Sequence, residues 1–150
     1  MDVSTAPSRL RTMPSWLLNQ VALPAQRIVA DALGAVGARR PHYSVLSALD
    51  EFGPASQAAL GRRCGIDRSD MVALVNELST AGRLERTPDP DDRRRNVVAI
   101  TDGGREFLSE LDQLLRDAQD DLLAPLSPPE RTELTRLLGT VLAHHSGGAE

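Results

Sequence analysis

From Ser56 to Thr80 the chain reads SQAALGRRCGIDRSDMVALVNELST, two short helical patterns separated by a glycine, each preceded by a residue able to cap it. The Ser56 hydroxyl can accept from the free amides of a first turn, which predicts a helix from Gln57 to about Cys64. Gly65 then ends it, because glycine enters the left-handed region that other residues resist. Asp67 is the expected cap of the second helix, and Asp70, at its third position, places a carboxylate at the positive end. Two helices joined by a turn of this length with a glycine are the sequence form of a helix-turn-helix.

At about 100° per residue, Met71, Leu74, Val75 and Leu78 share one side of the second helix, the i, i+3, i+4, i+7 stripe of a core-packed face. The opposite side carries Ser69, Val72, Ala73, Asn76 and Thr80, which are small, weakly polar and nearly uncharged. A merely solvated face would carry more charge; short side chains instead suit a helix laid in a major groove. Beyond Gly82, Leu84–Arg86 reads as a strand, and Asn96–Thr101 alternates with Val98 and Ile100 on one face. The intervening TPDPDDRRR is too rich in Pro and Asp to continue either strand, so a hairpin with Arg93, Arg94 and Arg95 near its tip is expected. Taken alone, such a charge run reads as a solvated turn. Directly after a helix-turn-helix it suits a narrow, strongly negative minor groove, with Asp91 and Asp92 pairing with the arginines when DNA is absent.

The run from Pro41 to Gly104 resembles the winged helix-turn-helix of the MarR (multiple antibiotic resistance regulator) family of bacterial transcription factors. The resemblance rests on GPASQAALGRRCGIDRSDMVALVNELSTAGRLER followed by DPDDRRRNVVAITDGG. In the family an Asp-Arg-Arg wing leads into a strand ending in Thr-x-x-Gly; here these are Asp92, Arg93, Arg94, Thr101 and Gly104. The resemblance implies a cytoplasmic homodimer that binds a pseudo-palindromic operator on double-stranded DNA, usually as a repressor, often relieved by a small ligand or by oxidation.

The flanking sequence is helical. Residues from Met1 to Thr12 show no clear period and are expected to fray, with Leu10 available to the first helix. Ser15 to about Val36 has a helical pattern with Trp16, Leu17, Val21, Ile28, Leu33 and Val36 for burial, and Pro24 inside it predicts a kink near Val21–Pro24. A further helix is expected from His42 to Phe52. Its start lies beside Arg39 and Arg40, so Arg40 and His42 are candidates for phosphate contacts, as are Ser56 and Gln57 at the next helix start. After the hairpin, Asp102–Leu123 predicts a long helix. SPPERTELTRLLGTVLAHH opens with a capping box at Ser127 and Glu130, with Pro128 at the tolerated first position. Its stripe is Leu134, Leu137, Leu138, Val141 and Leu142. These helices exceed what a winged helix needs and would expose more apolar surface than a monomer usually shows. The expected architecture is mainly α: a winged helix-turn-helix lobe over residues 41–104, with a small β-hairpin wing. A helical dimerisation region, residues 10–38 and 105–146, comes from the N- and C-terminal helices.

Composition bounds the function. The 150 residues suit one domain, and 41% hydrophobic with 25% charged residues describes a soluble globular chain. No apolar run reaches membrane-span length and no basic-then-apolar leader is visible, so neither a span nor secretion is expected. The net charge of -4 opposes a general attraction to nucleic acid, but residues 39–95 carry +1 and the remainder -5. All 17 basic residues are arginine. DNA affinity must therefore come from placed arginines and not from a general field.

The recognition helix, Arg68–Thr80, is expected to bring Arg68, Ser69, Asp70, Ala73 and Asn76 to the bases, while Arg94, supported by Asp92, enters the minor groove beside Arg93 and Arg95. Trp16, Arg27, His42 and Tyr43 are candidates for a small-molecule pocket. The single Cys64, flanked by Arg62 and Arg63, suggests an oxidation sensor on one reading and a buried structural residue on the other. His144 and His145 lack a spaced partner for zinc. No nucleophile triad, phosphate-cradling loop or carboxylate pair stands out, so neither a cofactor nor enzymatic activity is expected. The reading that competes from another class is a winged helix whose arginine tip meets an acidic protein partner.

Overall fold

The computed structural model describes residues 2–147. The chain begins with a 3-10 turn, Val3–Thr5, and a short helix α1, Ser8–Arg11. The expected fraying is thus corrected: Asp2 accepts from the Ser4 amide at 2.8 Å and Thr5 Oγ1 donates to the Asp2 carbonyl at 2.7 Å, while Ala6 is buried. Helix α2 spans Pro14–Gly34, and Pro24 neither ends nor splits it. Helix α3 spans Arg40–Phe52, starting two residues before the sequence-based boundary, with Pro41 tolerated in its first turn.

The central unit forms as its local chemistry dictates. Helix α4 runs Gln57–Cys64, capped by Ser56 Oγ accepting from the Ala59 amide at 3.1 Å. Gly65 follows at φ 65°, left-handed as a glycine C-cap requires. Helix α5 runs Arg68–Thr80, with Asp67 Oδ1 accepting from the Asp70 amide at 2.9 Å.

Strand β1 is Ala55–Ser56, β2 is Leu84–Pro88 and β3 is Asn96–Ile100, in the order β1-β3-β2 with both pairings antiparallel. The wing is therefore part of a three-stranded sheet and not an isolated hairpin. Two residues just before α4 suffice to add a strand, pairing Ala55 with Val98 and Ser56 with Val97. That pairing ties the root of the wing to the start of the helix-turn-helix.

Thr101 then turns the chain into helix α6, Asp102–Leu122. Its Oγ1 donates to the Gly82 carbonyl at 2.6 Å and accepts from the Gly104 amide at 3.0 Å. A Cβ on Gly104 would lie 2.1 Å from the Arg83 carbonyl oxygen, so only glycine lets α6 start against the turn that leads into β2. Packing and capping together account for the Thr-x-x-Gly spacing. Helix α7, Pro128–Ser146, opens with the expected capping box: Ser127 N–H donates to Glu130 Oε1 at 3.0 Å, and Glu130 N–H to Ser127 Oγ at 3.4 Å.

The core lies where the end of α2 and helices α3 to α6 meet the sheet. Leu33, Val45, Leu46, Leu49, Leu60, Met71, Val75, Leu78, Val98 and Leu111 are its largest fully enclosed side chains. Each fully buried residue of this size contributes about 1.5–3 kcal/mol. Helix α2 packs along α6, while α7 has no buried residue at all.

Candidate nucleic-acid interface

Helix α5 buries Met71, Leu74, Val75 and Leu78, and this fixes which side remains free. Arg68, Ser69, Asp70, Val72, Ala73, Asn76 and Thr80 are all exposed. The free face is thus the small, weakly polar side, bounded by Arg68 at the helix start. Ser69 Oγ donates to Asp67 Oδ1 at 2.9 Å, which holds its hydroxyl at the capped end. The Asp70 amide, followed by the Ser69 hydroxyl, holds the Asp67 carboxyl below its ordinary value, so the cap stays ionised and receptive.

The wing tip is shaped by its own acids. Asp92 Oδ1 accepts from the Arg94 amide at 3.0 Å, and the Asp92 carbonyl from the Arg95 amide at 2.9 Å. The Asp92 carboxylate lies 3.6 Å from Arg94 Nε and 3.7 Å from Arg95 Nε. Asp91 makes no ion pair among the described residues; its amide donates to Asp89 Oδ1 at 2.9 Å, so it shapes the turn through its backbone. The Arg94 side chain is 93% exposed and that of Arg95 71% exposed, and Arg93 is also exposed. At such exposure these pairs are weak, so the guanidinium groups are held loosely and remain available to a phosphate.

Helix-turn-helix and wing enclose one open concavity, whose lining includes Ser56, Gln57, Arg62, Arg68, Arg94 and Arg95. Four arginines from three separate elements thus face one groove in a chain of net charge -4. Such placement focuses positive potential where the overall charge would deny it. Arg62, whose sequence signal is only its place beside Cys64, joins the site through the last turn of α4.

The start of α3 is organised differently from expectation. His42 is buried, and both ring nitrogens are engaged: Nδ1 accepts from the Arg39 amide at 2.9 Å and Nε2 lies 2.7 Å from Glu77 Oε2. Its expected phosphate contact is therefore corrected, because the ring caps α3 and reaches the flank of α5. Arg39 also pairs with Glu77, at 3.0 Å. His42 first, then Arg39, holds the Glu77 carboxyl below its ordinary value. Arg40, in the first turn of α3, is exposed.

The remaining candidates scatter. Trp16 is half-buried and Arg27 exposed on α2, while Tyr43 Oη donates to Asp112 Oδ1 at 2.7 Å. The groove at the helix-turn-helix includes none of the four residues considered for a ligand pocket. The Cys64 thiol is half-buried and donates to the Ser44 carbonyl at 3.6 Å. Burial pushes its pKa up, against the smaller lowering by Arg63, which is opposite to the shift that makes a thiol reactive. Among the described residues there is no cluster of three or more metal-ligating side chains, and no helix is long and apolar enough to cross a membrane.

Comparison with known proteins agrees with this geometry. A family model described as the MarR family matches residues 27–95. The putative transcriptional regulatory protein for the hcr operon of Thauera aromatica is 34% identical over 96 residues, 64% of this chain and 58% of that protein. The chain thus spans about three fifths of the length of the first curated relatives it matches. Among solved structures, a probable transcriptional regulator from Pseudomonas aeruginosa superposes with a TM-score of 0.74 at 32% identity, covering 89% of this chain and 99% of that one. The PcaV transcriptional regulator from Streptomyces coelicolor, solved in complex with its natural ligand, superposes with a TM-score of 0.72 at 27% identity, covering 97% and 100%.

Proposed function

Because the chain belongs to the MarR family, we propose that it is a homodimeric, sequence-specific DNA-binding regulator of transcription, acting as a repressor at a pseudo-palindromic operator. The observation that carries this reading is the groove in which Arg62, Arg68, Arg94 and Arg95 converge beside the uncharged outer face of α5. A helix with Ser69, Ala73 and Asn76 outward fits the major groove, and a protruding arginine tip fits the adjacent minor groove. Lobe 41–104 then reads DNA, and regions 10–38 and 105–146 pair two copies.

The apolar residues of α2 and α7 support that pairing. Leu17, Leu18, Val21 and Leu23 are 40% to 68% exposed, and Leu137, Leu138, Val141 and Leu142 are 42% to 67% exposed. A second copy laid over them removes this surface from water and sets the distance between two α5 helices. A small ligand that favoured another spacing of the two α5 helices would relieve repression. The assignment is to a cytoplasmic regulator and not to an enzyme.

Selection of bound duplexes from a random pool tests the proposal. Recovery of an inverted repeat, with affinity falling steeply as salt rises, is the expected result. Arg94→Ala should weaken binding to all duplexes and lower the salt slope by about one. Failure to bind any duplex even at low salt would instead favour the acidic protein partner.

A further inference from the structure

Asn76, on the third turn of α5, does not stand alone on the outer face. Arg86, on the neighbouring strand β2, donates from Nη2 to Asn76 Oδ1. Both residues are exposed, and among the described residues Arg86 forms no ion pair and has no other side-chain hydrogen bond. Its position follows from the sheet: Arg86 pairs with Val98 in the register of β2 and β3, and Val98 is fully buried. The strand carrying the guanidinium is therefore anchored to the same core that anchors α5.

The chemistry of the pair is directional. A guanidinium has donors only, so the atom of Asn76 that faces it must be the carbonyl oxygen and not the amide nitrogen. A free asparagine can turn its carboxamide to present a donor and an acceptor together, which is the match for adenine N7 and N6–H. Here the carbonyl is drawn toward β2, leaving the NH2 group and the unused guanidinium N–H groups on the open side. A surface of donors meets two acceptors on guanine, N7 and O6, but meets the amino group of adenine as donor against donor.

We infer that Arg86 is a positioning residue for base recognition: it orients the Asn76 carboxamide so that the pair selects guanine at one position of each half-site. The inference rests on the proposal that α5 lies in the major groove. It adds a determinant from outside the recognition helix.

The test is sequencing of duplexes selected from a random pool by the full-length parent and by Asn76→Ala, Arg86→Met and the double variant. Methionine keeps a long apolar side chain and removes every donor. Base preference is read among bound duplexes, so an unfolded fraction of a variant does not alter it. The parent should show guanine, favoured about tenfold or more, at the one position that Asn76→Ala relaxes to about twofold or less. Arg86→Met should relax that same position, and the double variant should go no further than either single one. Adenine at that position in the parent would overturn the inference, as would an Arg86→Met profile identical to the parent's or a uniform affinity loss with unchanged preferences, which marks a phosphate contact. A parent that enriches no sequence would sink the DNA-reading proposal and this inference with it. A parent that enriches an inverted repeat without the Arg86 effect sinks this inference alone.

Discussion

Helices α5 and α7 carry apolar stripes of similar spacing and meet opposite fates. In α5, Met71, Leu74, Val75 and Leu78 are 3% exposed or less; in α7, Leu137, Leu138, Val141 and Leu142 are 42% to 67% exposed. Equal periodicity therefore does not mean an equal role. The α5 stripe closes the core of its own protomer and leaves its polar side free. Helix α7 has no fully buried residue, and the Arg131–Asp120 ion pair at 2.8 Å joins it to the end of α6. One helix is completed by the chain it belongs to, while the other, in the proposed dimer, is completed by a second copy.

Four measurements press on that contrast. The largest effect is expected from Val141→Glu combined with Leu142→Glu. Two side chains per copy, each worth about 1.5–3 kcal/mol when buried, give an association weakened on the order of 10⁴-fold or more. Sedimentation should then show single subunits whose far-UV circular dichroism remains helical; an unchanged dimer would break the assignment of α7 as an interface. Next is Leu78→Ala, expected to cost about 2–5 kcal/mol in denaturant unfolding because a fully enclosed side chain is lost. An effect below about 1 kcal/mol would mean that the α5 stripe is not the closed core described.

A smaller change, about 1 kcal/mol, is expected from Ser127→Ala, which removes one half of the α7 capping box. Thermal midpoints recorded at several protein concentrations would show whether that loss is transmitted through the dimer. The smallest is electrostatic. The Glu77 carboxyl titrates lower in the folded protein than its ordinary value of 4.5, so it stabilises fully above that value. That contribution is lost as the pH falls through the lowered folded value. Glu77→Gln should flatten this part of the acid-unfolding curve, and an unchanged curve would remove the His42–Arg39–Glu77 contact from the forces holding α3 to α5.

Much of the fold was legible because its signals are local. Ser56, Gly65 and Asp67 act within four residues of themselves, and they place α4 and α5 at the bounds that capping chemistry predicts. The same holds for Ser127 and Glu130 at the head of α7. The third strand has no sequence signal because Ala55 and Ser56 are too few to show alternation, and only their pairing with Val98 and Val97 makes them a strand. From sequence His42 is a candidate for a phosphate contact because its helix starts beside Arg39 and Arg40. The partner that claims it, Glu77, lies 35 residues away. Arg62 and Arg86 gave no signal of their own, since each acquires its role from an element folded against it.

The amino-acid order by itself determined the capped helices, the turns and the arginine tip, because each depends on hydrogen bonds and backbone preferences spanning one or two turns of chain. Tertiary structure decided which arginines share a groove, which histidine is buried, and that Arg86 reaches Asn76. Those outcomes turn on the packing of distant segments around one core, where a side chain's neighbours are set by strand register and helix docking and not by its place along the chain.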